Sequence, residues 1–186
     1  MVTDRLTRLT PEVLRPDQAA LYEAIAGGPR AGGPQHFALT DEDGALHGPF
    51  GVMLHAPSLG GPLQELGAAV RYRTSLSDRI REIAILQVAV ATRSQFEWFA
   101  HVRVGRAAGL TEAELAALAQ ARFSGADEAE RAAAELCPLL LAEEDIPDDT
   151  YERLREALGE KALLELVVLV GYCRTLAGML RVFAVR

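Results

Sequence analysis

The sequence predicts an all-α domain, and three observations carry that prediction. The run from Ile80 to Ala91 is apolar nearly all round, which at this length reads as a buried helix rather than a half-exposed one. Ser94-Gln95-Phe96-Glu97 and Thr111-Glu112-Ala113-Glu114 each have the form of a capping box, in which a hydroxyl and a carboxylate accept from unpaired N–H groups at a helix start. From Pro62 onward helical patterning continues almost unbroken, punctuated by Gly109 and Gly159.

Taken in order, residues 1–16 carry Pro11 and Pro16 and form a lead-in. A short helix follows from Asp17 to Ala26 and stops at Gly27-Gly28. From Gly27 to about Gly61 the chain is rich in Gly and Pro and cannot sustain a helix for long. Within it, the residues from Phe37 to His47 are expected to form a small hairpin over a turn ending at Gly44, or an ordered loop. A lone ribbon is marginal unless it packs on something, so a flap over the helical body is the expectation. Leu63, Leu66 and Val70 recur on one face of a helix ending near Arg73, and Ser77 or Asp78 caps the next. Helices are then expected up to Ala91, from Ser94 past His101, from Thr111 to about Ala121, and from Asp127 toward Glu144. Pro138 is expected to kink the last of these near Leu136, because proline removes a backbone bond. Two final helices, 148–158 and 160–183, meet at Gly159. At 186 residues without repeats, the chain is expected to be one domain, 1–186.

Composition bounds the function. The chain is 49% hydrophobic and 24% charged, ordinary for a folded protein. A net charge of −7 lacks the clustered cations that displace counterions from a phosphate backbone, so nucleic acid is not expected as a partner. Nearly all positive charge is arginine, Lys161 being the only lysine. Cys137 and Cys173 fit no metal or redox spacing and read as small buried hydrophobes. The N-terminus has no apolar stretch after its charges, and the greasiest run, Ala162 to Cys173, contains Glu165 and falls short of the roughly 20 residues a span needs. A cytoplasmic protein without membrane contact is expected.

Chemistry concentrates between residues 79 and 110. Glu82 interrupts an otherwise apolar helix, and Leu86 and Ala89 on its own stripe point its carboxylate toward protein rather than water. Its plain structural role would be a partner for Arg79 or Arg81. Glu97 and His101 lie four apart and share a helix face, so the carboxylate can orient the imidazole and raise its basicity. The capping box alone would account for Ser94 and Glu97, and the same N–H groups suit an anionic substrate. Histidine is the side-chain type that ordinarily titrates near neutral pH, which makes His101 a candidate for proton transfer. Arg93 or Arg79 could hold a substrate carboxylate in a forked contact. A metal set of Glu82, Glu97, His101 and His55 has suitable donor types but no two-histidine helix motif, so neither metal nor cofactor is expected. His36 and His47 read as solvated.

The order Glu82, eleven residues, Ser94, two residues, Glu97, three residues, His101 resembles the carboxymuconolactone decarboxylase family, which includes the alkylhydroperoxidase D proteins. The likeness runs through HAPSLGGPLQELGAAVRYRTSLSDRIREIAIL before the site and HVRVGRAAGLTEAELAAL after it, about residues 50–120. In the peroxidase branch cysteines stand where this chain has Ser94 and Glu97, so a dithiol cycle cannot run here. The resemblance implies an alkylhydroperoxidase D-like helical bundle with an irregular Gly/Pro-rich N-terminal segment, assembled as a dimer, trimer or hexamer. It also places His55 in the segment bordering the pocket. The apolar character of 161–183 independently favours an oligomer.

The resulting expectation is acid–base catalysis on a small carboxylated or lactone-type organic acid, a lyase step of aromatic compound catabolism. His101, Glu97 and Glu82 are the catalytic candidates, and Ser94, His55 and Arg93 bind substrate. Two alternatives stand beside it: a thiol peroxidase, disfavoured without the cysteine pair, and a non-catalytic helical oligomer that binds a small molecule.

Overall fold

The computed structural model describes residues 5–28, 32, 38–143 and 145–185. These form a 3-10 turn, Pro11–Val13, and eight helical stretches, α1 (Pro16–Ala26), α2 (Pro49–Met53), α3 (Pro57–Tyr72), α4 (Asp78–Thr92), α5 (Gln95–Ala107), α6 (Glu112–Ala119), α7 (Glu128–Ala142) and α8 (Asp148–Phe183). Among the described residues no strand forms. Thr40 and Leu46 make an isolated antiparallel bridge over the Asp41–Gly44 turn, where Gly44 supplies φ +80°. The hairpin expectation therefore holds in miniature. Phe37 and His36 lie outside the described residues.

The chain divides into two compact units, Met1–Tyr72 with Gly178–Arg186, and Arg73–Ala177. In the first, α1 and α2 pack on α3. Arg5 ties its leading segment to the end of α8, its backbone N–H donating to Phe183 O at 3.1 Å and its guanidinium to Val182 O at 2.8 Å. In this unit α3 starts at Pro57, five residues before the expected point, and runs through Pro62. The exposed-face pattern also differs: Gly60, Gly67 and Val70 are buried while Leu66 is exposed, because the small glycines and not the leucines form the contact side. The short helix α2 was hidden by the flanking Gly48 and Pro49.

In the second unit α4 is the spine, packed on α5, α6 and α7. Ser77 caps it, accepting from Ile80 N–H, and Ile83, Ala84, Leu86 and Val88 are fully enclosed. Ile83 and Leu86 join Leu110, Leu115, Leu118 and Ala134 in one cluster, with Trp98, Val102 and Phe123 against it. Burying each such leucine contributes on the order of 2 kcal/mol. Thr111 and Glu114 complete their reciprocal capping box on α6, which ends at Ala119, two residues before the expected stop. Asp127 caps α7 as expected. That helix runs on through Pro138, however, with no break at Leu136. The proline cannot donate to Ala134 O, and Gln87 Nε2 donates there instead at 3.0 Å, so the orphaned carbonyl is satisfied from α4.

Helix α8 is broken at Gly159 (φ 79°, ψ 156°), the expected boundary. By length and composition α8 could cross a membrane, which the shorter run Ala162–Cys173 alone did not suggest. Its Leu154, Leu163, Leu166 and Leu169 are instead buried within the protein, while Leu164 and Val167 are exposed.

Candidate acid–base site

The site is built on the antiparallel turn between α4 and α5. Arg93 takes the left-handed conformation (φ 57°) that ends α4, and Ser94 then caps α5, its hydroxyl accepting from Glu97 N–H at 3.4 Å. The expected capping box is only half formed. The Ser94 N–H already donates to Ala89 O at 2.9 Å, closing the turn, and so has no need of the Glu97 carboxylate. Freed from capping, Glu97 folds inward and is 4% exposed.

The same turn brings α4 across α5. Glu82, 2% exposed, places Oε2 at 2.7 Å from His101 Nδ1. This corrects the sequence expectation that Glu97 orients the imidazole: the partner comes from the facing helix rather than from four residues back on the same one. A buried carboxylate on Nδ1 fixes the ring orientation and leaves Nε2 as the free nitrogen. The His101 side chain, 19% exposed, is the member of the pair that solvent can reach.

Glu97 lies close enough to His101 for their charges to interact. Its Oε2 is buried and has no hydrogen-bond partner among the described residues. Burial raises its pKa from the ordinary 4.5 to about 7, against the opposing pull of His101 and the Ser94 hydroxyl. A carboxyl group poised there can hold or release a proton near neutral pH. The Arg81 Nε, ion-paired with Glu82 Oε1 at 3.9 Å, is likewise buried without a hydrogen-bond partner among the described residues, while the other end of that guanidinium binds Asp78.

Arg79 does not serve as the expected substrate clamp. All its nitrogens are committed: Nε to Glu130 at 2.6 Å, Nη2 to Glu114 at 2.7 Å and Nη1 to Gly109 O at 2.5 Å. Arg93 is exposed and makes no ion pair among the described residues. His55 belongs to the other unit, where it lines a cavity with His47. Of the flanking aromatics, Trp98 supports the core while Phe99 is exposed under the Arg103 guanidinium, 3.7 Å from its ring centre.

Cys173 was missed as a neighbour of this centre. Its thiol is buried and pushed well above its ordinary range, chiefly by burial and then by the charges of Glu97, Glu82 and Cys137. No spacing could have announced it, because the proximity is purely tertiary. Both cysteines are free, and burial pushes Cys137 up to about 12. No group of three or more His, Cys, Asp or Glu among the described residues is arranged to hold a metal ion.

The described residues are thus helical, with a Glu–His pair across two helices and a second buried carboxyl beside it, and comparison with known proteins adds to this. Residues 57–137 match the sequence model of the carboxymuconolactone decarboxylase family. Its fold is similar to a crystal structure from Agrobacterium tumefaciens, a protein of unknown function described as a "Putative Antioxidant Defence Protein AhpD". That likeness has TM-score 0.64 at 23% identity, covers 71% of this chain and 92% of the other, and concerns the fold alone. No curated protein matches the sequence.

Proposed function

We propose that this protein is a cytoplasmic homo-oligomeric lyase that uses acid–base chemistry on a small carboxylated or lactone-type organic acid. The observation that carries the reading is the 2.7 Å contact of Glu82 with His101 beside a buried carboxyl oxygen, on Glu97, that has no hydrogen-bond partner among the described residues. In the proposed step, carbon dioxide leaves and its bonding electrons flow into a conjugated carbonyl of the substrate. A proton donor then delivers to carbon. Glu82 holds His101 in one tautomer, His101 Nε2 exchanges one proton with the substrate, and Glu97 supplies or receives the second. Arg93, exposed beside the Ser94 cap, is the arginine available for the substrate carboxylate.

The thiol peroxidase reading is weakened by burial of both sulfurs, since the thiolate is the reactive form and each thiol here is held protonated. The test uses a panel of carboxylated lactones with carbon dioxide release as readout. His101→Ala is expected to lower turnover about a hundredfold or more while melting temperature and oligomer size stay near wild type. Unchanged turnover in that variant, or thiol-dependent hydroperoxide reduction lost in Cys173→Ser, would overturn the proposal. Absence of turnover across the panel by a folded wild-type protein would favour a binding function instead.

A further inference from the structure

The unit formed by residues 1–72 and 178–186 holds a cavity of about 240 Å³ that none of Glu82, Glu97 and His101 lines. Its apolar wall includes Leu6, Leu9, Leu46 and Val52, and its polar wall is made by Arg8, Asp41, His47 and His55. Segment 6–9 is pinned at both ends, by Arg5 on the end of α8 and by Arg8 on the Asp41–Gly44 turn, so this wall is set before any ligand arrives.

Accounting for each polar group says what the cavity accepts. Asp41 is saturated: Oδ2 accepts from Arg8 Nε at 3.0 Å and Nη2 at 2.6 Å, and Oδ1 accepts from the N–H groups of Asp43 and Ala45 at 3.1 and 2.9 Å. Arg8 Nη2 also reaches Asp43 at 2.7 Å, which leaves Nη1 as its uncommitted edge. The imidazoles of His47 and His55 have no hydrogen-bond partner among the described residues. The uncommitted polar groups are therefore donors or groups able to become donors, while the one carboxylate in the wall has no oxygen to offer. A cationic ligand would find no uncommitted carboxylate to pair with, and a hydrocarbon would leave the two imidazoles and the free guanidinium edge without a partner. An anionic head with an apolar body satisfies both walls. The volume lies below the roughly 300–1,000 Å³ of sites for drug-sized ligands, which limits the body to one ring or a short chain.

We propose that this cavity binds a small organic acid, its carboxylate held by His47, His55 and the free edge of Arg8 and its apolar body against Leu6, Leu9, Leu46 and Val52. This site stands independently of the acid–base reading of Glu82, Glu97 and His101, because its evidence and its test are binding alone.

The experiment titrates benzoate into the ¹⁵N-labelled full chain and follows backbone amide shifts, with benzyl alcohol and inorganic phosphate as comparison probes. Saturable shifts are expected at Leu46, His47, Gly48, Gly51 and His55, with benzyl alcohol and phosphate each binding at least about tenfold more weakly. The double variant His47→Gln/His55→Gln should weaken benzoate binding about tenfold or more. Thr7→Trp, at an exposed position on the rim, should block it without altering an imidazole, which keeps the test valid if the double variant unfolds. No saturable shift at those amides up to ~10 mM benzoate would overturn the proposal. So would benzyl alcohol or phosphate binding as tightly as benzoate, or shifts that survive Thr7→Trp.

Discussion

Two groups of carboxylates gather at the same spine helix, α4, and have opposite fates. One turn of α4 carries Arg79, whose guanidinium is divided among Glu130, Glu114 and the Gly109 carbonyl. Glu130 is further engaged by Ala126 N–H at 2.9 Å, so the group has its bonds in place, and Arg79 holds Glu114 down to about 2. The next turn carries Glu82, which meets His101, while Glu97 nearby keeps an oxygen without a partner and is pushed up to about 7. Burial is similar for Glu82, Glu97 and Glu130, at 2, 4 and 4% exposure, so burial alone does not separate structure from chemistry. What separates them is pairing. A satisfied buried charge locks α4, α6 and α7 together, whereas an unsatisfied one stores a protonation equilibrium within reach of an imidazole.

Breaking the satisfied group should have the largest effect on stability. Glu130→Ala leaves Arg79 with one carboxylate and strips the α7 start of a bond to Ala126 N–H. Loss of one partner from a largely buried pair costs about 3 kcal/mol. Urea unfolding at neutral pH measures it, and a loss below about 1 kcal/mol would show that the Arg79 group is solvated in practice.

The unsatisfied carboxyl predicts the opposite sign. A native pKa of about 7 against an ordinary 4.5 means that the native state binds more protons than the unfolded state between those values. Stability from this group is therefore fully present below about pH 4.5 and is lost as pH rises through about 7. Glu97→Gln removes that titration. Relative to wild type the variant should gain stability from pH 5 to about pH 7 and level off above it, by up to about 3 kcal/mol in all, since each tenfold difference in proton affinity between the folded and unfolded chain is worth about 1.4 kcal/mol. Any offset from the new amide's own pairing is constant with pH, so the slope of the difference is the readout. A flat difference across that range would place Glu97 in contact with water or a partner.

The contrast also explains how much of the molecule could be read beforehand. The spine α4 was legible because Ile80 to Ala91 is apolar nearly all round, and Ser77, Thr111 and Asp127 were legible because capping is a local matter. Glu82 stood out as a lone acid in that run. Its partner was not legible, because the spacing of Glu97 and His101 on one helix competes with contacts across the Arg93–Ser94 turn, which only packing decides. Gln87 compensating for Pro138, and Cys173 near both carboxylates, depend on residues far apart in sequence and left no pattern to find. The start of α3 was misplaced because Pro and Gly read as breakers, whereas Pro57 at a first helical position is favourable.

The smallest prediction compares the two hydroxyl caps that resembled each other in sequence. Thr111 takes part in a reciprocal box: its hydroxyl accepts from Glu114 N–H at 3.2 Å while the Glu114 carboxylate accepts from Thr111 N–H at 2.7 Å. Ser94 offers one long contact, 3.4 Å to Glu97 N–H, and its own N–H goes to Ala89 O instead of to the Glu97 carboxylate. Thr111→Ala should therefore cost about 1 kcal/mol, and Ser94→Ala about half that or less, in thermal unfolding at neutral pH. Removing the Ser94 hydroxyl also takes away one of the influences that hold the Glu97 pKa down, so it should move the Glu97 titration further upward. Carboxyl ¹³C shifts followed against pH would register that movement, while Thr111→Ala should leave the Glu97 curve where it was. Equal stability losses at the two caps, with no change in the Glu97 titration, would mean that the half-formed box is as strong as the complete one and that Ser94 is a cap and nothing more.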